Sequence, residues 1–130
     1  MSSMKPLRLV GGTASPYTQK MLGLLRYRHI PYAVTWGDPA GTLDALGIGK
    51  PRPHGHPTSL FDNDDGKLQG VCDSTPIIRR LEALYPGRAV RPSRPALAFI
   101  DDLIGDVAVV WSPKSILPFP WYPKASADHA

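Results

Sequence analysis

The sequence predicts an α/β fold: a mixed four-stranded sheet in the order β-α-β-(α)-β-β-α, followed by one further helix and a proline-rich tail. Three observations carry this expectation. Strand-like runs at residues 7–10 and 32–36 flank a segment whose Tyr17, Met21, Leu24, Leu25 and Arg28 recur at helical spacing, the pattern of a βαβ unit. Asn63-Asp64-Asp65-Gly66 is a strong turn signal between two further strand-like runs. Ser74-Thr75-Pro76 reads as a helix start, with Ile77, Ile78, Leu81 and Leu84 as the apolar stripe behind it.

Each element follows from local chemistry. Residues 7–10 form a short buried strand that Gly11 and Gly12 break. Ser15 is a good N-cap and Pro16 a good first helical residue, because the N–H that proline lacks has no intrahelical acceptor there. The helix stops near His29, since Pro31 disfavours helical backbone just before it. Residues 32–36 hold β-branched Val34 and Thr35 and form the second strand. Between 37 and 53 only Thr42-Leu43-Asp44-Ala45-Leu46 reads as helical; the rest is loop. Residues 57–61 and 67–71 are the arms of a hairpin, and a helix capped by the Ser74 hydroxyl runs to about Tyr85, where Pro86-Gly87 ends it. A parallel pair joined by a helix, plus an antiparallel hairpin, is a thioredoxin-like arrangement with helices on both faces. From Pro95 onward, Ala96, Leu97, Ile100, Leu103, Ile104, Val107, Ala108 and Trp111 predict one more helix over 95–111, capped by Ser93 or Arg94. Pro113, Pro118, Pro120 and Pro123 exclude helix beyond it. The expected division is a domain at 1–90 and a second segment at 91–130.

Composition bounds the function. The chain has 130 residues, 42% hydrophobic and 20% charged, which suits a soluble globular protein with a modest core. No apolar run approaches the roughly 20 residues that span a bilayer. The N-terminal residues lead into a strand rather than a secretory apolar region, and the single cysteine excludes an internal disulfide, so a cytoplasmic setting is expected. The net charge is +4; Arg79, Arg80, Arg88, Arg91 and Arg94 cluster around one helix end with only Glu82 among them. No base-reading or stacking motif accompanies them, which argues against a nucleic-acid partner and for a solvated basic face that attracts small acidic ligands.

With these elements in place, the chain resembles the N-terminal domain of the glutathione S-transferase family. Leu7-Arg8-Leu9-Val10 followed by Ala14-Ser15-Pro16-Tyr17 is like the family's first strand and active-site turn. His56-Pro57-Thr58-Ser59-Leu60-Phe61-Asp62 is like its segment with a cis-proline at the head of the third strand, and Asp73-Ser74-Thr75-Pro76-Ile77-Ile78 like its acidic-Ser pair and helix. Residues 93–111 are similar to the first helix of the family's all-helical second domain.

The resemblance implies glutathione as co-substrate, a small electrophile as second substrate, and no metal. Ser74 would donate its N–H and hydroxyl to the γ-glutamyl carboxylate, and Asp73 would accept from the α-amino group. The main chain of His56, exposed by a cis bond before Pro57, would pair with the cysteinyl backbone as a strand would. Ser15, at a helix N-terminus, would stabilise the thiolate. Read without the resemblance, Ser15 and the Asp73-Ser74 pair are plain helix caps. Tyr17 is a second hydroxyl near the turn, expected to pack or to face away. Cysteine is absent from the turn, so dithiol exchange lacks its nucleophile, and Cys72 is expected to be a buried small hydrophobe. His54-Gly55-His56 lacks a third metal ligand nearby. Asp62-Asn63-Asp64-Asp65-Gly66 departs from a calcium loop, and Gly47-Ile48-Gly49-Lys50 lacks the context of a phosphate loop.

In the family the electrophile pocket lies between the two domains, and this sequence carries only the start of the second. A non-catalytic thioredoxin-like module that binds glutathione or a protein is therefore the alternative reading. The apolar stripe of 95–111, with Trp111, Phe119, Trp121 and Tyr122, invites a partner, a homodimer among the options.

Overall fold

The computed structural model describes residues 5–52, 56–63, 65–111 and 114. The chain divides into two units, Met1–Ala89 and Val90–Ala130.

In the first unit, strand β1 (Leu7–Gly11) leads into helix α1 (Pro16–Tyr27), strand β2 (Tyr32–Trp36), helix α2 (Pro39–Ala45), strands β3 (Thr58–Asp62) and β4 (Leu68–Cys72), and helix α3 (Ser74–Leu84). The mixed four-stranded sheet expected from the sequence is present, in the order β2-β1-β3-β4. β1 and β2 pair in parallel, with Leu9 opposite Val34. β1 and β3 pair antiparallel, Leu9 opposite Ser59, as do β3 and β4, Leu60 opposite Gly70.

The period-2 alternation of side chains distributes β1 over two cores. Leu7 and Leu9 join Phe61 of β3 against Met21, Leu22 and Leu25 of α1 and Ile77 and Leu81 of α3. Val10 and Leu60 point the other way, onto Leu43 of α2. Leu9, Leu25, Ile77 and Leu81 have no exposed surface, and each such side chain stabilises the fold by about 1.5–3 kcal/mol relative to the exposed state.

β1 runs through Gly11 instead of breaking there, and the hairpin strands lie one residue later than expected, at Thr58–Asp62 and Leu68–Cys72. Two helix starts also differ from the sequence expectation. α2 starts at Pro39 rather than Thr42, because Asp38 caps it: its Oδ2 accepts from the Gly41 N–H at 2.7 Å. Asp38-Pro39 thus repeats the Ser15-Pro16 pattern, which Gly41 disguised as loop. α3 is capped by Asp73, not by Ser74; Ser74 is its first helical residue.

α1 ends as expected near His29, which takes a left-handed φ of 55° while the Ile30 N–H bonds back to the Leu25 carbonyl at 3.0 Å. The His29 ring lies 3.2 Å from Arg88 Nη1, and the Arg88 guanidinium sits 4.8 Å over the Tyr27 ring. The arginines are not one uniform solvated face. Arg80 bonds Gln69 at 2.8 Å and covers Phe61, and Glu82 pairs with Arg28 at 3.2 Å.

In the second unit, helix α4 (Pro95–Asp106) continues as a π-helix over Val107–Trp111. Arg94 occupies its cap position without a side-chain bond, and Arg91 pairs with Asp102 at 2.8 Å. No residue of α4 is buried, and Phe99 and Ile104 are more than 60% exposed. The proline-rich tail expected after Trp111, with Phe119, Trp121 and Tyr122, lies outside the described residues, Lys114 aside. No helix among the described residues is long and apolar enough to cross a membrane.

Candidate functional site

Register alone gathers the candidate residues. Val10 pairs with Thr58, and Thr58 pairs with Cys72. The end of β1, the start of β3 and the end of β4 therefore lie side by side along one edge of the sheet. Gly12–Ser15 follows the first, His56-Pro57 precedes the second, and Asp73-Ser74 follows the third.

The two flanking helices start at this same end. Lys20, in the second turn of α1, donates from Nζ to Ser74 Oγ at 2.9 Å, joining residues 54 apart in sequence. At the opposite end, Arg28 is the C-cap residue of α1, and its buried guanidinium pairs with Glu82 of α3 at 3.2 Å and donates to the Tyr85 and Gly87 carbonyls. Start is matched with start and end with end, so α1 and α3 run parallel. The positive ends of their dipoles face the same side.

Ser15 sits in extended backbone, φ −76° and ψ 119°, and its Oγ accepts from the Thr18 N–H at 3.3 Å. An accepting hydroxyl keeps its own hydrogen to give away. Thr18 is buried beneath the turn, and its side chain fills the space that a Cβ on Gly11 would need. Glycine at 11 is what lets the helix start sit so close on the end of β1.

At α3, Asp73 holds φ 72° and ψ 132°, a conformation rarely adopted by a residue with a Cβ. Its Oδ1 accepts from the Thr75 N–H at 3.4 Å. Ser74 is 6% exposed, and its hydroxyl receives Lys20. Among the described residues Lys20 forms no ion pair.

Pro57 is buried and His56 half-buried. The His56 ring stacks on Tyr17 of the first turn of α1, centroids 5.3 Å apart and planes 22° from parallel. Its carbonyl accepts from Thr58 Oγ1 at 3.1 Å, which leaves the second lone pair of that oxygen for another donor. Cys72 is buried, as expected; burial pushes its thiol pKa up, and the Asp73 carboxylate adds to the rise. A buried, neutral thiol is inert packing rather than a nucleophile.

The structure thus brings Ser15, His56, Pro57, Asp73 and Ser74 to one end of the sheet. Two participants escaped the sequence reading. Lys20 lies off the apolar stripe of α1, and its only signal was a cation one turn beyond the cap. The Tyr17–His56 stack joins residues 39 positions apart (56 minus 17) and left no local trace. His54 and Gly55 lie outside the described residues, and among the described residues no group of three or more His, Cys, Asp and Glu could hold a metal.

The model of the glutathione S-transferase N-terminal domain matches residues 9–89. The chain belongs to the glutathione S-transferase family. The matched stretch runs from β1 through the end of α3 and so holds every candidate residue named above. A crystal structure of a glutathione S-transferase of Ceriporiopsis subvermispora, in complex with glutathione, is similar to this chain with a TM-score of 0.53 and 17% identity, covering 92% of this chain and 52% of that one. The likeness is one of fold, thioredoxin-like in its sheet and flanking helices. The chain spans about half the length of that protein. No curated protein matches it.

Proposed function

We propose that this chain binds glutathione at the sheet end bordered by Ser15, His56-Pro57 and Asp73-Ser74, and activates its thiol for attack on an electrophilic small molecule. The γ-glutamyl carboxylate lies at the start of α3, where it takes the Ser74 N–H and hydroxyl and the charge of Lys20; Asp73 accepts from the α-amino group. The His56 main chain pairs with the cysteinyl residue ahead of Pro57, whose peptide bond is cis in this reading. Ser15 donates its remaining hydrogen to the sulfur.

One hydrogen bond to a charged group is worth about 1.5–3 kcal/mol, which lowers a thiol pKa from near 8.5 by roughly one to two units. The thiol proton passes to solvent, the thiolate forms a carbon–sulfur bond, and the leaving group departs with its electron pair.

The observation that carries this reading is the Lys20–Ser74 bond, which sets the two helix starts side by side within a chain of this family. The test is calorimetric titration with glutathione, beside conjugation of a chromogenic aromatic halide, for wild type, Ser15→Ala and Ser74→Ala. Ser74→Ala is expected to weaken binding about tenfold. Ser15→Ala is expected to hold affinity within a few-fold while lowering turnover at neutral pH at least about tenfold. Binding without conjugation by wild type would leave a glutathione-binding module, and no binding would overturn the proposal.

A further inference from the structure

We propose that Tyr17 and His56 form an aromatic clasp that fixes the main chain ahead of Pro57 against the start of α1, making Tyr17 a positioning residue for the peptide substrate. The inference rests on the reading of this site as a glutathione site, and gives a role to an imidazole and a phenol that the reading leaves without one.

A main-chain clamp is only as accurate as its own placement. Binding geometry is commonly lost when the groups of a site drift by about half an ångström. The chain before β3 inherits no such accuracy from its surroundings: residues 47–52 and 56–57 belong to no helix or strand. His56 is instead held from two directions. Its carbonyl accepts from Thr58 Oγ1 at 3.1 Å, and Thr58 is the buried first residue of β3. Its ring lies nearly parallel to that of Tyr17, at 5.3 Å, inside the range in which aromatic pairs attract. Tyr17 in turn stands two residues after Ser15, on the rigid first turn of α1. The stack therefore couples the segment proposed to hold the cysteinyl backbone to the helix start proposed to hold its sulfur. Changing the distance between them would misplace the sulfur even with every polar contact present.

The ring faces, not the phenolic hydroxyl, do this work, so Tyr17→Phe and Tyr17→Leu should part company. The experiment measures glutathione Kd by calorimetry on the full chain, with the His56 imidazole proton shifts read by NMR. Wild type and Tyr17→Phe are expected to share an upfield imidazole shift from the stacked ring and to agree in Kd within about twofold. Tyr17→Leu and His56→Leu are expected to raise Kd about five- to tenfold, Tyr17→Leu with loss of the upfield shift. His56→Phe should recover most of what His56→Leu loses. The double Leu variant should be little weaker than either single one, as for two halves of one contact.

Wild-type affinity in both Leu variants would overturn the clasp, as would fully additive losses. A loss in Tyr17→Phe equal to that in Tyr17→Leu would assign the effect to the hydroxyl instead and overturn it too. His56→Leu alters a half-buried residue outside any helix or strand and keeps the test open if Tyr17→Leu fails to fold. Failure of wild type to bind glutathione is a separate result, seen before any variant is made; it removes the proposed function and the positioning role with it.

Discussion

Helices α1 and α3 begin beside each other but by opposite means. α1 opens on Ser15 in ordinary extended backbone, capped by its own hydroxyl and continued by a proline that fits the first position. α3 opens on Asp73 at a φ of 72°, where a side chain costs about 1–3 kcal/mol, and the cap bond it gains is a long 3.4 Å. A bond of that length does not offset that strain. Local stability therefore accounts for the first helix start and not for the second. The strained one is also the one that buries a serine and draws in a lysine from its neighbour. Strain of this kind gathers where geometry is held for binding.

The comparison breaks most severely at the far end of the helix pair. Arg28→Met removes the buried guanidinium that ties the ends of α1 and α3, leaving Glu82 and two carbonyls without it. A loss of about 3 kcal/mol and a fall in Tm of more than about 10 °C are expected by thermal melting. Ser15→Ala removes a conventional cap and should cost about 1 kcal/mol in denaturant unfolding. Asp73→Gly should do the reverse. It gives up a weak cap, worth a few tenths, and relieves the left-handed backbone, so stability rises by roughly 0.5–1 kcal/mol. The same variant removes the carboxylate proposed to receive the α-amino group, so glutathione affinity should fall while the fold is stabilised; a gain in both would overturn the role of Asp73 in binding.

Reading the sequence got far along the backbone and less far across it. α1 and α3 are legible because a capping residue, a proline and an apolar period coincide, and β1, β2 and the hairpin because short apolar or β-branched runs are bounded by glycine, proline and the Asn63–Gly66 turn. α2 was partly hidden because Gly41 masked a start that Asp38 and Pro39 define. Serine before threonine and proline is a good cap, so the sequence alone points to Ser74 for that task. Only the fold shows that Asp73 takes that task and leaves the Ser74 hydroxyl to Lys20. Helical spacing over 95–111 gave a helix, but not its π-helical end or the absence of any buried face, since periodicity reports a stripe and not what lies against it.

A smaller effect sharpens the same region chemically. In the folded chain burial and the Asp73 charge raise the Cys72 thiol pKa, whereas the unfolded thiol ionises near pH 8.5. Below that value both states keep the proton and this contribution is fully present. As pH rises from about 8.5 toward the raised native value, the unfolded state sheds its proton first and stability declines. Urea unfolding at pH 7 and pH 9.5 should show this decline in wild type and less of it in Cys72→Ala. Native Cys72 should also react slowly with thiol reagents at neutral pH.

The outermost place of β2 in the sheet has a practical consequence. Tyr-Ala-Val-Thr-Trp is an uncharged ribbon of strong strand formers with one row of backbone donors and acceptors that no strand among the described residues pairs with. Proline at 31 and glycine at 37 bracket the ribbon without interrupting it. Such a margin can template addition of further chains. Refolding yields should therefore drop steeply with concentration, and a lysine at Thr35, on the solvent side of that margin, should restore them.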